Sequence, residues 1–362
     1  MSFISSVRTL YLAWSQSTPL PILLDASATF QSWHTFNEDN GKWTRLHVQA
    51  PAEQNEPGLG TQHGKFTSRE PLPQTLTLAT WNVDGFGKHP EARTDGILSA
   101  LQSLDHVPDV VLFQEVPHKA LIYLLSNARV REGWILSEAD DTNWAGVQFA
   151  TLTMLSRARF KSFTSPGTLA SAPCNPFSAG PVWRVKYPTR FKRDALCCDV
   201  FYHNTRIRLV NVHLDSLPIQ PNQRPRQVEI TASLIKHAGV DCGLVAGDFN
   251  PVSEEDASLV SENGLVDVWE MINPAEDGFT WGLEGSGEPF PPGRFDKVAV
   301  LGLRPKRIDV IHPGFVSEVE EPDERGPSES EDQHGALLGE HSLPWSDHSG
   351  LLASLDLINL RQ

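Results

Sequence analysis

Six short polar clusters carry the residue types that could do chemistry: Thr80-Trp81-Asn82-Val83-Asp84-Gly85, Phe113-Gln114-Glu115-Val116, Asn211-Val212-His213-Leu214-Asp215-Ser216, Gly247-Asp248-Phe249-Asn250, Phe295-Asp296-Lys297-Val298 and Ser346-Asp347-His348-Ser349-Gly350. In each, an apolar run passes into carboxylates, amides or imidazoles and then into a turn. Brought to one place, they would hold a hard, oxygen-ligated cation and work on a phosphoryl group. Each also has a plainer reading. Asn82 and Asp84 suit a turn before Gly85. Glu115 could cap a following helix, His213 could be a satisfied core histidine, and Asp248 with Asn250 could make an Asx-turn. Only their joint occurrence favours chemistry.

The apolar pattern predicts the elements that would position them. Residues 75–83 and 109–116 read as strands flanking a helix at 93–104, and 118–129 reads as a helix with apolar residues at i, i+3 and i+4. Strands follow at 134–137 and 146–156. A hairpin joins 195–202 to 207–213, a helix spans 223–238, and 242–247 is a strand before a short helix at 254–261. Late strands fall at 295–301, 308–311 and 351–358. Strands outnumber helices, and several connections are too short for parallel crossovers. The expected fold is α/β, a four-layer αββα sandwich of two packed mixed β-sheets flanked by helices.

Domain organisation follows from shifts in composition. Residues 1–50 form an N-terminal region with a hairpin turning at Asp39-Asn40-Gly41. Residues 51–74, rich in Pro, Gly, Gln and Glu, read as a linker. The main domain covers 75–359, with an acidic, disordered insertion at 317–342. Between Ser317 and Asp332 that insertion holds eight acids and one arginine, which is seven of the chain's fifteen net negative charges. A chain this acidic does not suit coating of long duplex DNA, which rewards many cationic contacts. No apolar run approaches the ~20 residues of a membrane helix. Residues 1–24 lack the basic start and unbroken apolar stretch of a secretory signal. Cys174, Cys197, Cys198 and Cys242 follow no metal-ligand spacing and read as free thiols of an intracellular protein in nucleus or cytoplasm.

The motifs TWNVDG, QEV, HLDS, GDFN, FDKV and SDHSGLL, in that order over residues 76–358, resemble the endonuclease/exonuclease/phosphatase superfamily of metal-dependent phosphodiesterases. TWNVDGF, NVHLDS, LVDVWE, FTW and RFDKV look most like its 5′-tyrosyl-DNA phosphodiesterase branch. The resemblance implies Mg²⁺ or Mn²⁺ as cofactor, with Glu115 the main metal-binding carboxylate and Asn82, Asp84 and Asp347 near the metal. It implies that Asp248 is the base for the attacking water, that Asn250 and His213 hold phosphate oxygens, and that His348, paired with Asp296, stabilises the transition state. Arg193 and Arg190, in the basic stretch 184–193, and Trp281 in Phe-Thr-Trp are the implied substrate contacts, with Trp281 either stacking on DNA or serving as a core tryptophan. The expected partner is a DNA 5′ end carrying a protein or peptide adduct, met by a monomer.

Two positions depart from that branch. Val252 and Ser349 stand where it usually has Arg and Trp. The abasic-site nucleases of the superfamily carry a tyrosine where this chain has His213-Leu214-Asp215. RNA deadenylases, nucleotide or lipid phosphodiesterases and a non-catalytic phosphate-binding module remain alternative readings.

Overall fold

Alternation of side chains along each strand fixes the layers. In the strand Thr75–Asn82, Leu76 and Leu78 enter one buried cluster while Ala79 and Trp81 enter another on the opposite face. In Asp194–Tyr202, Cys198 and Cys197 divide in the same way. Such strands are apolar on both faces because both faces are covered. The computed structural model describes residues 28–46, 75–144, 146–160, 177–283, 291–317 and 342–357. The linker, most of the acidic insertion and Cys174 lie outside the described residues.

The described strands are β1 (Ala28–Gln31), β2 (Trp33–Asn37), β3 (Lys42–Leu46), β4 (Thr75–Asn82), β5 (Val110–Pro117), β6 (Trp134–Leu136), β7 (Phe149–Ser156), β8 (Phe177–Lys186), β9 (Asp194–Tyr202), β10 (Thr205–His213), β11 (Cys242–Asp248), β12 (Val266–Asp267), β13 (Asp296–Leu301), β14 (Arg304–Ile311), β15 (Phe315–Ser317), β16 (Ser342–Pro344) and β17 (Gly350–Asp356). The α-helices are α1 (Pro90–Gln102), α2 (His118–Ser126), α3 (Ala128–Gly133), α4 (Arg224–Ile235), α5 (Leu259–Glu262) and α6 (Val268–Ile272). One sheet runs β1-β8-β9-β10-β11-β13-β12 and the other β14-β17-β4-β5-β7-β6-β2-β3, with β15-β16 a separate pair. The cluster holding Leu78, Leu112, Val200 and Leu244 fills the space between the sheets. Ile97, Leu101 and Leu124 from α1 and α2 cover the outside of the second sheet, and Val228 and Ile235 from α4 cover the first. This is the expected four-layer αββα sandwich.

Among the described strands, only β4–β5 and β10–β11 pair in parallel, each joined through a crossover helix, α1 or α4. Proline at the start of both helices costs no hydrogen bond there. The two parallel pairs place Asn82, Glu115, His213 and Asp248 at or near their C-terminal ends, at one end of the sandwich.

Several expectations change. Residues 28–46 pack as edge strands of the two sheets. The Asp39-Asn40-Gly41 hairpin forms, but β2 pairs with β6 and β1 pairs with β8, so the segment extends an edge of both sheets. The helix expected over 118–129 breaks at Asn127, whose extended backbone and side chain cap α3 through Arg129 and Val130 N–H. β8 has no counterpart in the sequence reading. Gly180-Pro181 interrupts its pattern and lies at an irregularity in the β8–β9 pairing. The ends of the acidic insertion meet in the β15–β16 pair.

Candidate active site

The site starts from three residues in left-handed backbone conformations. Asp84, Glu115 and Asn250 have φ of 54°, 54° and 47°. Such angles are uncommon outside glycine and must be held by their surroundings. Asp84 follows β4, where its N–H donates to Asn82 Oδ1 at 3.0 Å and Arg93 of α1 grips its carboxylate at 2.8 Å. Glu115 sits where the β5–β7 register shifts between Phe113 and Val116, a bulge that re-aims the side chain. Its Oε2 accepts from Gly85 N–H at 2.9 Å. Asn250 N–H donates to Asp248 Oδ1 at 2.9 Å, and its amide donates to Leu214 O at 3.2 Å.

These turns bring the clusters together across the two sheets. Asn82 Nδ2 donates to Asp248 Oδ2 at 3.0 Å. His213 Nε2 stands 3.5 Å from Glu115 Oε1 and 3.4 Å from Asp248 Oδ2, buried without a hydrogen-bond partner. His348 Nδ1 lies 2.8 Å from Asp296 Oδ2, and its Nε2 is 4.0 Å from Asp248 Oδ2. Ser346 Oγ fixes the last loop by donating to Asn82 O at 2.6 Å and accepting from His348 N–H at 3.0 Å. Beneath the site, Gln114 donates to Asn211 Oδ1 at 2.8 Å, while Asn211 Nδ2 donates to the Phe113 and Leu152 carbonyls. That buried link ties the sheets together directly under Glu115 and His213.

Charge is unbalanced at the centre. Burial and then Asp347 push the Asp84 carboxyl up to about 7 despite Arg93. Burial, with Asp296 adding to it, pushes Asp248 up to about 7 against the opposing pull of His348. Glu115 is raised by burial and Asp347, although Arg193 opposes the shift. His213 lies between two carboxylates, yet burial and the nearby cations Arg193 and His348 hold it well below the ordinary histidine value. His348 goes the other way: burial opposes its charge, but Asp296, Asp347 and Asp248 outweigh it and lift it well above that value.

Three substrate contacts were expected. Arg193 is present at the site, its guanidinium 5.2 Å from the centre of the Phe149 ring and bonded to Ser216 Oγ at 3.3 Å. Arg190 is half-buried, and its backbone N–H donates to Asp215 Oδ2 at 3.3 Å. Trp281 takes the surroundings of its core reading. It is 5% exposed, its ring lies against Phe295 with centroids 4.8 Å apart, and its Nε1 donates to Asp347 Oδ2 at 3.3 Å. It orients Asp347 rather than offering a face to a base. The FTW motif shows an aromatic but not its environment. Arg93 and the Gln114–Asn211 link escaped the sequence reading as site residues. Arg93 read only as part of a polar helix, and the link joins strands 97 residues apart.

The two-sheet sandwich with its site at the ends of the paired parallel strands is the fold of a solved endonuclease/exonuclease/phosphatase family protein of Leptotrichia buccalis, with TM-score 0.51 at 15% identity over 78% of this chain and 99% of that one. In sequence, the chain is 28% identical over 287 residues to tyrosyl-DNA phosphodiesterase 2 of Danio rerio, covering 76% of this chain and 69% of that protein. It is 26% identical over 253 residues to the Mus musculus protein of the same name, covering 66% and 60%. The chain thus spans 60% to 69% of the length of these relatives. No family model matches. Among solved structures, Danio rerio tyrosyl-DNA phosphodiesterase 2 with a single-strand DNA product aligns with TM-score 0.56 at 22% identity, over 78% of this chain and all of that one. The Caenorhabditis elegans protein of that name aligns with TM-score 0.54 at 17% identity, over 78% and 75%. At these identities the structures speak for the fold.

The superfamily implies a divalent metal ion. The donor set suits one. Asp347 raises the proton affinity of Asp84 and Glu115, and Glu115 adds to the shift at Asp84, which is the signature of carboxylates short of a cation. Among the described residues, no three His, Cys, Asp or Glu side chains stand ready to hold a metal by themselves.

Proposed function

We propose that the chain is a Mg²⁺-dependent phosphodiesterase that hydrolyses the bond between a protein tyrosine and a 5′ DNA phosphate, with Mn²⁺ as a possible substitute metal. The observation that carries this reading is the separation of duties in one pocket. Glu115 and Asp248 flank His213 at 3.5 and 3.4 Å, and the Asp296–His348 pair stands beyond Asp248. Two of the named relatives are tyrosyl-DNA phosphodiesterases, and one of their structures holds single-strand DNA product.

Glu115, with Asp84, Asn82 and Asp347 around it, would hold the metal, which when bound neutralises charge on the phosphate and on the departing oxygen. Asp248 takes a proton from water as the water oxygen bonds to phosphorus. Asn82 Nδ2 and Asn250 N–H each hold one Asp248 oxygen, so the carboxylate is oriented before the reaction. The bond from phosphorus to the tyrosine oxygen breaks, and the phenolate leaves with its electron pair. A phenol of pKa ~10 departs with little protonation, unlike a sugar hydroxyl. His348, held protonated by Asp296, donates a hydrogen bond to a phosphate oxygen as charge builds there. Neutral His213 and the free hydrogen of the Asn250 amide hold the other phosphate oxygens.

The protein is proposed to act as a monomer on DNA ends inside the cell, in nucleus or cytoplasm. Among the described residues, no helix is long and apolar enough to cross a membrane. The test is a substrate panel: a 5′-phosphotyrosyl oligonucleotide, an abasic duplex, poly(A) and sphingomyelin, each with Mg²⁺ and with chelator. The first should be cleaved fastest and only with metal. Asp248→Asn should cut its turnover by orders of magnitude with little change in binding. Faster cleavage of poly(A) or lipid would transfer the function to that substrate class. Chelator-insensitive binding without turnover would leave a phosphate-binding module.

A further inference from the structure

Beside His213 opens a cavity of about 610 Å³, within the range that houses a short peptide or a drug-sized molecule. Its walls are apolar, with Trp144, Phe149 and Phe191, and its rim is basic, with Lys186, Arg190 and Lys192. Lys186 and Lys192 are exposed and make no ion pair among the described residues. The floor is electrically matched: Arg184 bonds Glu138 at 2.6 Å and Asp194 at 2.9 Å. The far wall belongs to β1, where Gln31 Nε2 donates to Ser137 O and Glu138 Oε1. The N-terminal strand, which has no part in the chemistry above, therefore completes this cavity.

Its position relative to the base decides its occupant. Attack by a water held at Asp248 expels the leaving oxygen from the opposite side of phosphorus. Asp248 is surrounded by Asn82, Asn250 and His348. The cavity opens past His213, which stands between Asp248 and Glu115, and past Arg193, whose charge acts on Glu115. The DNA strand, attached through a sugar oxygen that stays bonded, leaves the reacting phosphorus sideways. We propose that the cavity seats the peptide attached to the scissile tyrosine, and that its basic rim favours acidic residues beside that tyrosine. The proposal rests on the tyrosyl-DNA reading given above.

The experiment compares kcat/KM for 5′-phosphotyrosyl oligonucleotides of one sequence that carry tyrosine alone, a pentapeptide with glutamates flanking the tyrosine, or one with lysines. The unmodified protein should prefer the acidic over the basic adduct by about fivefold at low salt, as expected for two screened charge contacts. The preference should shrink as salt rises. Lys186→Glu with Lys192→Glu should bring the acidic-to-basic ratio to one or below. Lys186→Gln with Lys192→Gln gives a milder reading should the reversed protein fold poorly. Equal rates for both peptides in the unmodified protein would overturn the proposal while leaving the tyrosyl-DNA reading intact. A loss in the variants that grows with oligonucleotide length and ignores the peptide would assign the cavity to DNA. Failure of the unmodified protein to cleave even the tyrosine-only substrate would overturn both readings together.

Discussion

Asp248 and Asp296 sit directly opposite each other in the β11–β13 register. Like charges so placed repel, and the fold offsets this by setting the His348 ring against both. Its Nδ1 is 2.8 Å from Asp296, and its Nε2 is 4.0 Å from Asp248. One carboxylate thus serves to keep an imidazole charged, while the other is left with raised proton affinity, as a base requires.

Asp296→Asn tests this division. Without that carboxylate, His348 loses its main source of raised proton affinity and gives up its proton at lower pH. Turnover at neutral pH should fall about 10²-fold, the scale of one acid–base contribution. The alkaline limb of the kcat/KM profile should move to lower pH. A reduced rate with an unmoved alkaline limb would mean that Asp296 only shapes the loop.

Glu115→Gln separates stability from function. Glu115 shares its pocket with Asp84 and Asp347; its charge opposes the ionisation of Asp84, and Asp347 opposes that of both. Removing one charge should raise the Tm of the metal-free protein by about 2 °C, while activity and the Tm gain on adding Mg²⁺ both disappear. A lowered Tm in chelator would show that the Gly85 N–H bond to Glu115 outweighs the repulsion.

Asn211→Ala cuts the link between the sheets. It takes from the buried Phe113 and Leu152 carbonyls the amide that donates to them, and from Gln114 one of its three acceptors. The cost should be about 3 kcal/mol by urea unfolding, since an unsatisfied buried group loses more than a net hydrogen bond. Activity should fall as well, because Glu115 and His213 stand on the strands being tied. A change within about 0.5 kcal/mol would mean that the link bears no load.

Alkaline pH should weaken the fold through its buried thiols. Burial pushes Cys242 up to about 12 and raises Cys197 and Cys198 in the same direction. In the unfolded chain these thiols ionise near pH 9, so that state releases protons first. Stability is intact below pH 9 and declines as pH rises from there toward 12, by up to about 1.4 kcal/mol per pH unit for each thiol. Cys242→Ala should lessen the slope of urea midpoints measured from pH 8 to 11. An unchanged slope would place the sensitivity elsewhere.

The sequence by itself determined the layers and the inventory of the site. Apolar, strand-forming runs in 75–83 and 195–202, i/i+3/i+4 spacing in 118–125 and the asparagine-glycine turn at 40–41 are local signals, set by the pleat, the helix pitch and backbone sterics. The polar residues at strand ends were legible for the same reason: each interrupts an apolar run. Tertiary structure decided what those residues touch. Only the pairing of β1 with β8 and of β2 with β6 makes 28–46 part of the sandwich. Packing on Phe295 turns Trp281 from a candidate platform into a buried donor for Asp347. The grip of Arg93 on Asp84, the Gln114–Asn211 link and the cavity walled by β1 arise from contacts between segments that share no local pattern. Proton affinities belong with them, because they depend on burial and on charges brought from elsewhere in the chain. Identical residue types, His213 and His348, are therefore driven in opposite directions at one site.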